Sequence, residues 1–302
     1  MAAVLERIRR AGRPPFHRQT PAEARAAYEL GAEVLDLPRA PLARVEELTL
    51  RGGDGQPCRA RLYADGPEPR PGLLYLHGGG FVIGSLETHD SLCRQIARRS
   101  GFAVVALDYR RAPEHRFPAA VDDAFAAMRA LAREPARHGL AERAIAVAGD
   151  SAGGTLAAAC ALQARDEGLP LTLQVLITPG TAPRTDSASQ HQFAEGFLLD
   201  RETIRWFFDQ TIDAEQRDDW RFAPLQADVD GVAPAFVLLA ECDPLVDEGI
   251  AYADKLRAAG VAVELELFRG MTHDFIKMGR AIPQAHAALD AVAAALKGTL
   301  AS

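Results

Sequence analysis

The residues with the clearest capacity for chemistry form the pentapeptide Gly-Asp-Ser-Ala-Gly at positions 149–153. A short apolar strand predicted over 145–148 runs directly into it, and a run of good helix formers follows. Small residues allow a serine to be lifted to the apex of such a turn, because glycine leaves room for close backbone approach. The helix then directs free N–H groups and its positive dipole end at whatever Ser151 attacks. We predict a nucleophilic serine; the alternative, an accidental match of five small residues, is less attractive between a strand and a helix.

A serine hydroxyl needs a base, and His273 lies in the loop after the last predicted strand. An imidazole is an effective base when a carboxylate fixes its tautomer and stabilises its charged form. Asp243 directly follows a predicted strand, whereas Asp247 lies one helical turn further on, so we prefer Asp243. A second histidine, His115, lies in a polar, proline-bounded connection that we expect to brace a neighbouring loop rather than to do chemistry. The predicted catalytic residues are Ser151, Asp243 and His273.

Three consecutive glycines at 78–80 follow another short apolar strand, predicted over 73–76. Such a run is unfavourable inside a helix or strand and is suited to a backbone that approaches a ligand closely. The N–H groups of Gly79 and Gly80, together with that of Ala152, could donate to an oxyanion that develops on a carbonyl. The alternative is a mobile glycine loop without a catalytic role. The presence of the Ser151 motif in the same chain favours the oxyanion-hole interpretation.

Strands and helices alternate along most of the chain, which predicts a mainly parallel sheet with functional loops at the carboxyl ends of its strands. The segment 1–44 precedes any strand and contains a helix that begins with a capping box at Thr20, so we expect it to lie outside the sheet as a cap. We therefore expect a core over 45–182 and 225–302, interrupted by a second cap segment at 183–224.

The second cap segment combines polar, aperiodic sequence with a helix that begins at Asp200 and is rich in aromatic residues. These apolar side chains are suited to walls around an acyl group. For any single aromatic residue, ordinary helix packing is the alternative. The residues that we assign to substrate binding are Phe81, Asp150, Phe193, Phe197, Leu198 and Phe208.

Composition limits the partners that this chain can have. Lysines and arginines number 34 against 41 aspartates and glutamates, a formal net charge of −7, and this charge does not favour nucleic acid or an anionic membrane. The four cysteines are scattered without a metal-ligand or disulfide spacing, so we expect free thiols and no metal. No apolar run approaches the roughly 18 residues of a membrane span, and no signal-peptide pattern opens the chain, so we expect a cytoplasmic protein. The expected partner is a small ester, and whether the chain forms a homodimer stays open.

Taken together, these motifs give the chain a specific resemblance from about Leu48 to its end. They are His-Gly-Gly-Gly-Phe at 77–81, Asp-Tyr-Arg-Arg-Ala-Pro-Glu-His at 108–115, Gly-Asp-Ser-Ala-Gly-Gly at 149–154, Ala-Glu-Gly-Phe-Leu-Leu at 194–199, Asp-Pro-Leu-Val-Asp-Glu at 243–248 and Gly-Met-Thr-His at 270–273. The chain resembles the hormone-sensitive-lipase-like esterases, bacterial family IV of the α/β-hydrolases. The resemblance implies an α/β-hydrolase fold with a two-part helical cap, hydrolysis of short- to medium-chain carboxylic esters, no cofactor, and oxyanion donors at Gly79, Gly80 and Ala152.

Two positions differ from the family pattern. Asp274 follows the predicted base where glycine is common, which leaves open whether this carboxylate raises the pKa of the imidazole or competes with Asp243. Thr178 stands where tyrosine is usual. A serine carboxylesterase is the leading hypothesis; a lactone or amide hydrolase with the same triad, or a ligand-binding receptor on this fold, are the alternatives.

Overall fold

Strands and helices follow one another in the computed structural model, which describes residues 1–300. The strands are β1 (Arg44–Arg51), β2 (Pro57–Ala64), β3 (Gly72–Leu76), β4 (Ala103–Leu107), β5 (Ile145–Asp150), β6 (Leu171–Ile177), β7 (Ala235–Cys242) and β8 (Val263–Thr272). The α-helices are α1 (Ala2–Arg10), α2 (Pro21–Leu35), α3 (Asp90–Ser100), α4 (Ala119–Arg133), α5 (Ala152–Asp166), α6 (Ala188–Gln192), α7 (Arg201–Thr211), α8 (Val246–Ala258) and α9 (Pro283–Gly298). Within residues 1–300, every helix is too short or too polar to cross a lipid bilayer.

One sheet contains all eight strands, in the spatial order β1-β2-β4-β3-β5-β6-β7-β8. The first two strands form an antiparallel hairpin, and β2 also pairs antiparallel with β4. From β4 through β3 to β8 every neighbouring pair is parallel. The mainly parallel sheet that the sequence predicted is therefore confirmed, and the carboxyl ends of β3, β5, β7 and β8 lie along one edge.

Helices cover both faces of this sheet, because successive side chains of a strand point to opposite sides. In β3, Leu73 and Tyr75 pack in the apolar cluster shared with α3 and α9. Leu74 and Leu76 point the other way, into the cluster shared with α4, α5 and α8. Both faces of the central strands are thus buried, which explains why these strands are continuous apolar runs rather than alternating ones.

A helical cap lies outside the sheet, and it comes from two separate parts of the chain, as expected. The first part contains α1 and α2, and the capping box predicted at Thr20 is present at the start of α2. The second part contains α6 and α7, between β6 and β7. The two parts touch: the ring centroids of Phe16 and Phe207 are 6.4 Å apart, and His17 Nδ1 lies 3.0 Å from Thr203 Oγ1. The exact domain boundaries stay a prediction.

Helix α2 is fastened to the core at several points rather than loosely laid over it. The Arg25 guanidinium forms two hydrogen bonds with the Glu114 carboxylate, at 2.8 and 2.6 Å, and a third with the carbonyl oxygen of Val82 at 2.8 Å. Beyond the helix end, Arg280 Nε donates to the carbonyl oxygen of Asp36 at 2.6 Å. The cap therefore contributes a fixed wall above the carboxyl edge of the sheet.

Candidate active site

Ser151 occupies a sharp turn between β5 and α5. Its backbone has φ 54° and ψ −121°, in a region that residues with a Cβ rarely adopt, and its N–H donates to the carbonyl oxygen of Ile177 at 2.8 Å. A Cβ at Gly153 would overlap the carbonyl oxygen of Leu76, so the helix can approach β3 this closely only with glycine there. Ala152 is the first residue of α5, where a helix leaves the N–H without an intrahelical acceptor.

Asp243 and His273 follow β7 and β8 and form a buried pair. The Asp243 Oδ2 atom lies 2.7 Å from His273 Nδ1, and its Oδ1 accepts a hydrogen bond from the N–H of Leu245 at 2.9 Å. The competing carboxylate, Asp247, instead accepts from the N–H of Ser189 at 2.8 Å and so anchors the second cap segment. The structure thus brings Asp243 rather than Asp247 to the imidazole. This contact fixes Nδ1 as the protonated nitrogen and leaves Nε2 to take a proton.

A second carboxylate faces the other nitrogen of the same imidazole. Asp274 Oδ1 lies 3.8 Å from His273 Nε2, and this oxygen is buried without a hydrogen-bond partner among the described residues. Burial disfavours the charged imidazolium, but the carboxylates of Asp243 and Asp274 outweigh it and raise the pKa of His273 to about 9. Asp274 adopts a left-handed backbone, φ 56°, which favours glycine and is tolerated by aspartate. The extra carboxylate therefore raises the pKa of the imidazole and leaves the Asp243 contact intact.

The glycine loop follows β3 and lies beside the serine turn. The carbonyl oxygen of Gly79 accepts hydrogen bonds from the N–H groups of Val82 and Ile83, at 3.0 and 2.9 Å. Because the peptide is planar and trans, the N–H of Gly80 points to the opposite side, away from that turn. Gly80 has φ 58°, and a Cβ there would overlap the ring of Phe207. The loop therefore requires glycine and can present an N–H group, as the oxyanion-hole prediction needs.

Asp150 braces these two segments against each other. Its carboxylate is completely buried and accepts hydrogen bonds from the Tyr75 hydroxyl at 2.6 Å and the N–H of Gly78 at 3.0 Å, while His89 Nε2 lies 3.1 Å from Oδ2. The substrate contact expected of Asp150 differs from this arrangement, because both of its oxygens are engaged inside the protein. Sequence reasoning missed this role, since nothing local to 149–153 indicates that Tyr75 and His89 will converge on it.

The polar connection after β4 also supports the glycine loop. The Tyr109 hydroxyl donates to the carbonyl oxygen of His77 at 2.7 Å, and the two rings stack with centroids 4.2 Å apart. Arg111 donates to the carbonyl oxygen of Gly84. His115 is exposed, and its backbone N–H donates to the carbonyl oxygen of Arg111 at 3.0 Å, within the same connection. The bracing role predicted for this connection is therefore confirmed.

Aromatic side chains of the second cap segment pack against one another and against the core. Phe193 and Phe197 form an edge-to-face pair with centroids 5.0 Å apart, and Leu198 is 44% exposed. Phe208 and Phe81 both pack on Phe222, with centroids 4.9 and 5.8 Å away. Their assignment to substrate binding stays a prediction. Sequence reasoning missed Phe207, which is the cap residue that lies directly against the third glycine of the loop.

Comparison with known proteins places this fold in a family. A family model described as the alpha/beta hydrolase fold matches residues 73–277. The chain belongs to the alpha/beta-hydrolase family, in its hormone-sensitive-lipase-like, family IV branch. The resemblance carried by the sequence motifs is thereby confirmed.

Individual relatives define the class of enzyme. An ethyl acetate hydrolase of Pseudomonas putida is 40% identical over 98% of this chain and 97% of its own length, and a carboxylesterase of Mycobacterium tuberculosis is 39% identical over 86% and 84%. A thermostable esterase from Pseudomonas putida superimposes with a TM-score of 0.94 at 34% identity, covering 99% of this chain and 96% of its own. A thermophilic carboxylesterase cloned from a metagenomic library gives 0.89 at 39%, covering 93% and 98%. The chain is an enzyme of the carboxylic ester hydrolase class.

Proposed function

We propose that this enzyme hydrolyses short- to medium-chain carboxylic esters through an acyl-enzyme formed on Ser151. The observation that carries the proposal is the 2.7 Å contact between His273 Nδ1 and Asp243 Oδ2, at the same sheet edge as the strained turn of Ser151. In this proposal His273 acts as general base and acid, and Asp243 orients it and stabilises its charged form. Gly79, Gly80 and Ala152 supply the N–H donors of the oxyanion hole.

Acylation begins when the Ser151 hydroxyl attacks the ester carbonyl carbon and His273 Nε2 takes the hydroxyl proton. The carbonyl oxygen becomes an oxyanion, which the backbone N–H groups and the positive end of α5 stabilise. The tetrahedral intermediate then expels the alkoxide, and the imidazolium returns the proton to it. The alcohol leaves, and the acyl group remains bonded to Ser151.

Deacylation repeats these steps with water in place of serine. His273 Nε2 accepts a proton from water as the oxygen attacks the acyl carbonyl carbon, and the same N–H donors stabilise the second oxyanion. Collapse of this intermediate breaks the bond to the serine oxygen, which regains the proton from the imidazolium. The products are one carboxylic acid and one alcohol, and the enzyme is regenerated.

The proposed range of acyl chains rests on the cap and on the relatives. Phe207 closes the space directly above the glycine loop, which favours a small acyl group beside Ser151. The relative that matches nearly the whole chain carries ethyl acetate in its name, which supports short esters as substrates. A net charge of −7 favours a neutral substrate over an anionic one.

The test compares Ser151→Ala with the parent enzyme on p-nitrophenyl butyrate. We expect loss of turnover and of the nitrophenol burst, with unchanged thermal unfolding, because only the nucleophilic oxygen is removed. Labelling by a fluorophosphonate should likewise require Ser151. An active Ser151→Ala enzyme, or a parent that neither turns over esters nor reacts with the phosphonate, would contradict the proposal.

Two histidine variants provide a matched pair. His273→Asn should abolish turnover, since no base remains, whereas His115→Asn should retain it because His115 is exposed and away from the Asp243 contact. A series of esters from acetate to palmitate then defines the preferred acyl length. Equal loss in both variants would argue against His273 as the specific base.

A further inference from the structure

Lys277 is a buried cation that follows the predicted base His273 closely in the chain. It ends the short 3-10 turn Phe275–Lys277 and is only 6% exposed. Its Nζ donates to the Tyr28 hydroxyl of cap helix α2 at 2.8 Å and lies 3.4 Å from His89 Nε2. An ammonium group in such a place is unfavourable unless charges and hydrogen bonds around it compensate for lost hydration. The groups around Lys277 must therefore supply compensating charge and hydrogen bonds.

These contacts continue as far as the serine turn. His89 Nε2 also lies 3.1 Å from Asp150 Oδ2, and Thr88 Oγ1, which is engaged with Ser85, lies 2.8 Å from His89 Nδ1. With Nε2 protonated the imidazole donates to Asp150, and with Nε2 unprotonated it accepts from Lys277. Nε2 makes one of these hydrogen bonds at a time, so when it donates to Asp150 the Lys277 ammonium lies beside the imidazole and acts on the Asp150 carboxylate through its charge. A continuous path of four side chains thus connects the cap helix with the residue that precedes Ser151.

The path ends on the loop that carries the predicted oxyanion donors. Asp150 Oδ1 accepts from the N–H of Gly78, one residue before Gly79, at 3.0 Å. A hydrogen bond from a backbone N–H to a buried, charged carboxylate is a strong one, and it fixes the peptide group between His77 and Gly78. The position of the Asp150 carboxylate therefore determines where the loop that carries Gly79 and Gly80 begins.

Charge balance supports a permanent ammonium at this position. Burial disfavours the charged form of Lys277, but the neighbouring Tyr28, Asp274 and Asp150 outweigh it and raise its pKa above the ordinary value. The titratable groups that face or act on Lys277 are Tyr28, Asp36, His89, Cys93, Asp150 and Asp274. Asp150 and Asp274 are the carboxylates next to the predicted nucleophile and base, and one cation lies close to both.

We infer that Lys277 is a positioning residue: through His89 and Asp150 it couples docking of cap helix α2 to the geometry of the oxyanion loop. The inference rests on the proposed esterase function. Its consequence is that the cap does more than enclose substrate, because the Tyr28 contact helps to hold the donor loop in place for the transition state. A variant that breaks this coupling should therefore lower kcat more than it raises KM. The reason is that the loop acts on the oxyanion of the transition state and not on the ground-state ester.

The first experiment compares three variants on p-nitrophenyl butyrate. Lys277→Met should lower kcat about tenfold, less than the roughly 100- to 1,000-fold loss for deleting an oxyanion donor, with KM changed by less than about twofold. Tyr28→Phe removes only the hydroxyl and should lower kcat by about two- to threefold. Arg280→Met is the matched control, because it releases the chain beyond α2 from the core without touching Asp150. It should retain the parent kcat.

The second measurement distinguishes positioning from a general structural role. Butylboronic acid forms a tetrahedral adduct with an active-site serine, and its affinity should fall by the same factor as kcat in Lys277→Met. Adding Tyr28→Phe to Lys277→Met should produce no further loss, since both changes interrupt one path. A general loosening of the cap would instead give additive losses and would appear in Arg280→Met as well.

Several results would overturn the inference. These are a folded Lys277→Met enzyme with kcat and boronate affinity of the parent, additive losses in the double variant, or an equal loss in Arg280→Met. If Lys277→Met does not fold, Tyr28→Phe decides, and an unchanged kcat in that variant rejects the coupling. An active, Ser151-dependent parent with an unaffected Lys277→Met enzyme rejects only this inference, whereas a parent without Ser151-dependent turnover rejects the proposed function and the inference together.

Discussion

Replacing Asp274 with asparagine tests how the second carboxylate acts on the predicted base. The substitution keeps the size and hydrogen-bonding shape of the side chain and removes its negative charge, which lies 3.8 Å from His273 Nε2. A neutral neighbour stabilises the imidazolium less, so the pKa of His273 should fall. Because the proposed base must be neutral to take the serine proton, the acidic limb of the kcat/KM profile should move to lower pH.

The size of this shift follows from the distance. Two unit charges at 3.8 Å interact by about 1 kcal/mol in water and about 4 kcal/mol at an effective dielectric constant of 20. At about 1.4 kcal/mol per pKa unit, these limits correspond to roughly one and three units. The Asp274 side chain is 20% exposed, so solvent screening favours the lower limit. We expect the acidic limb to move by about one unit.

The assay is kcat/KM for a p-nitrophenyl ester between about pH 5 and pH 10, since the acidic limb reports the pKa of the essential base in the free enzyme. Asp290→Asn is the matched control: it removes the same charge from an exposed carboxylate that pairs with Arg99, away from the site. Asp290→Asn should leave the acidic limb of the kcat/KM profile at the pH of the parent enzyme. An unmoved limb in Asp274→Asn, or an equal shift in both variants, would refute the electrostatic reasoning.

Three further changes test other parts of the structure. Asp200→Ala removes the N-cap that accepts from the N–H of Thr203 at 2.6 Å, and should lower the free energy of unfolding by about 1 kcal/mol in urea titrations. Phe207→Ala should cost about 3 kcal/mol of stability, because the ring is buried, and should raise kcat/KM for octanoate relative to butyrate esters by clearing the space above Gly80. Burial raises the pKa of Glu248 to about 8, so the folded state keeps a proton that the unfolded state releases above about pH 4.5, and stability should fall as pH rises through this window. Glu248→Gln carries no titrating group there and should gain stability relative to the parent between about pH 5 and pH 9; a constant difference would contradict the assignment.

Features that depend on a few adjacent residues could be predicted from the sequence. The capping box at Thr20 and the strand–turn–helix context of Ser151 are set by side chains within one turn of each other, and both occur as predicted. The alternation of strands with helices likewise predicted the parallel sheet. The preference for Asp243 rested on its distance from a strand end, and the structure places that carboxylate at 2.7 Å from His273.

Features that depend on distant contacts could not be predicted in this way. Phe207 and Phe208 are adjacent on α7, and the rotation of the helix about its axis decides which ring meets Gly80. That rotation is fixed by packing against the rest of the cap, which leaves no local signal. The path through Lys277 and Asp150 is hidden for the same reason, because it joins four parts of the chain that only the folded sheet brings together.

The second cap segment leaves and returns to the core at points that touch, since the N–H of Leu225 donates to the carbonyl oxygen of Thr181 at 3.0 Å. The segment between these two residues therefore spans almost no distance at its base. Evolution or an engineer can exchange this cap segment for a longer or shorter one while β6 and β7 keep their register. Substrate preference in this scaffold can thus diversify by segment replacement, independently of the machinery that performs the bond cleavage.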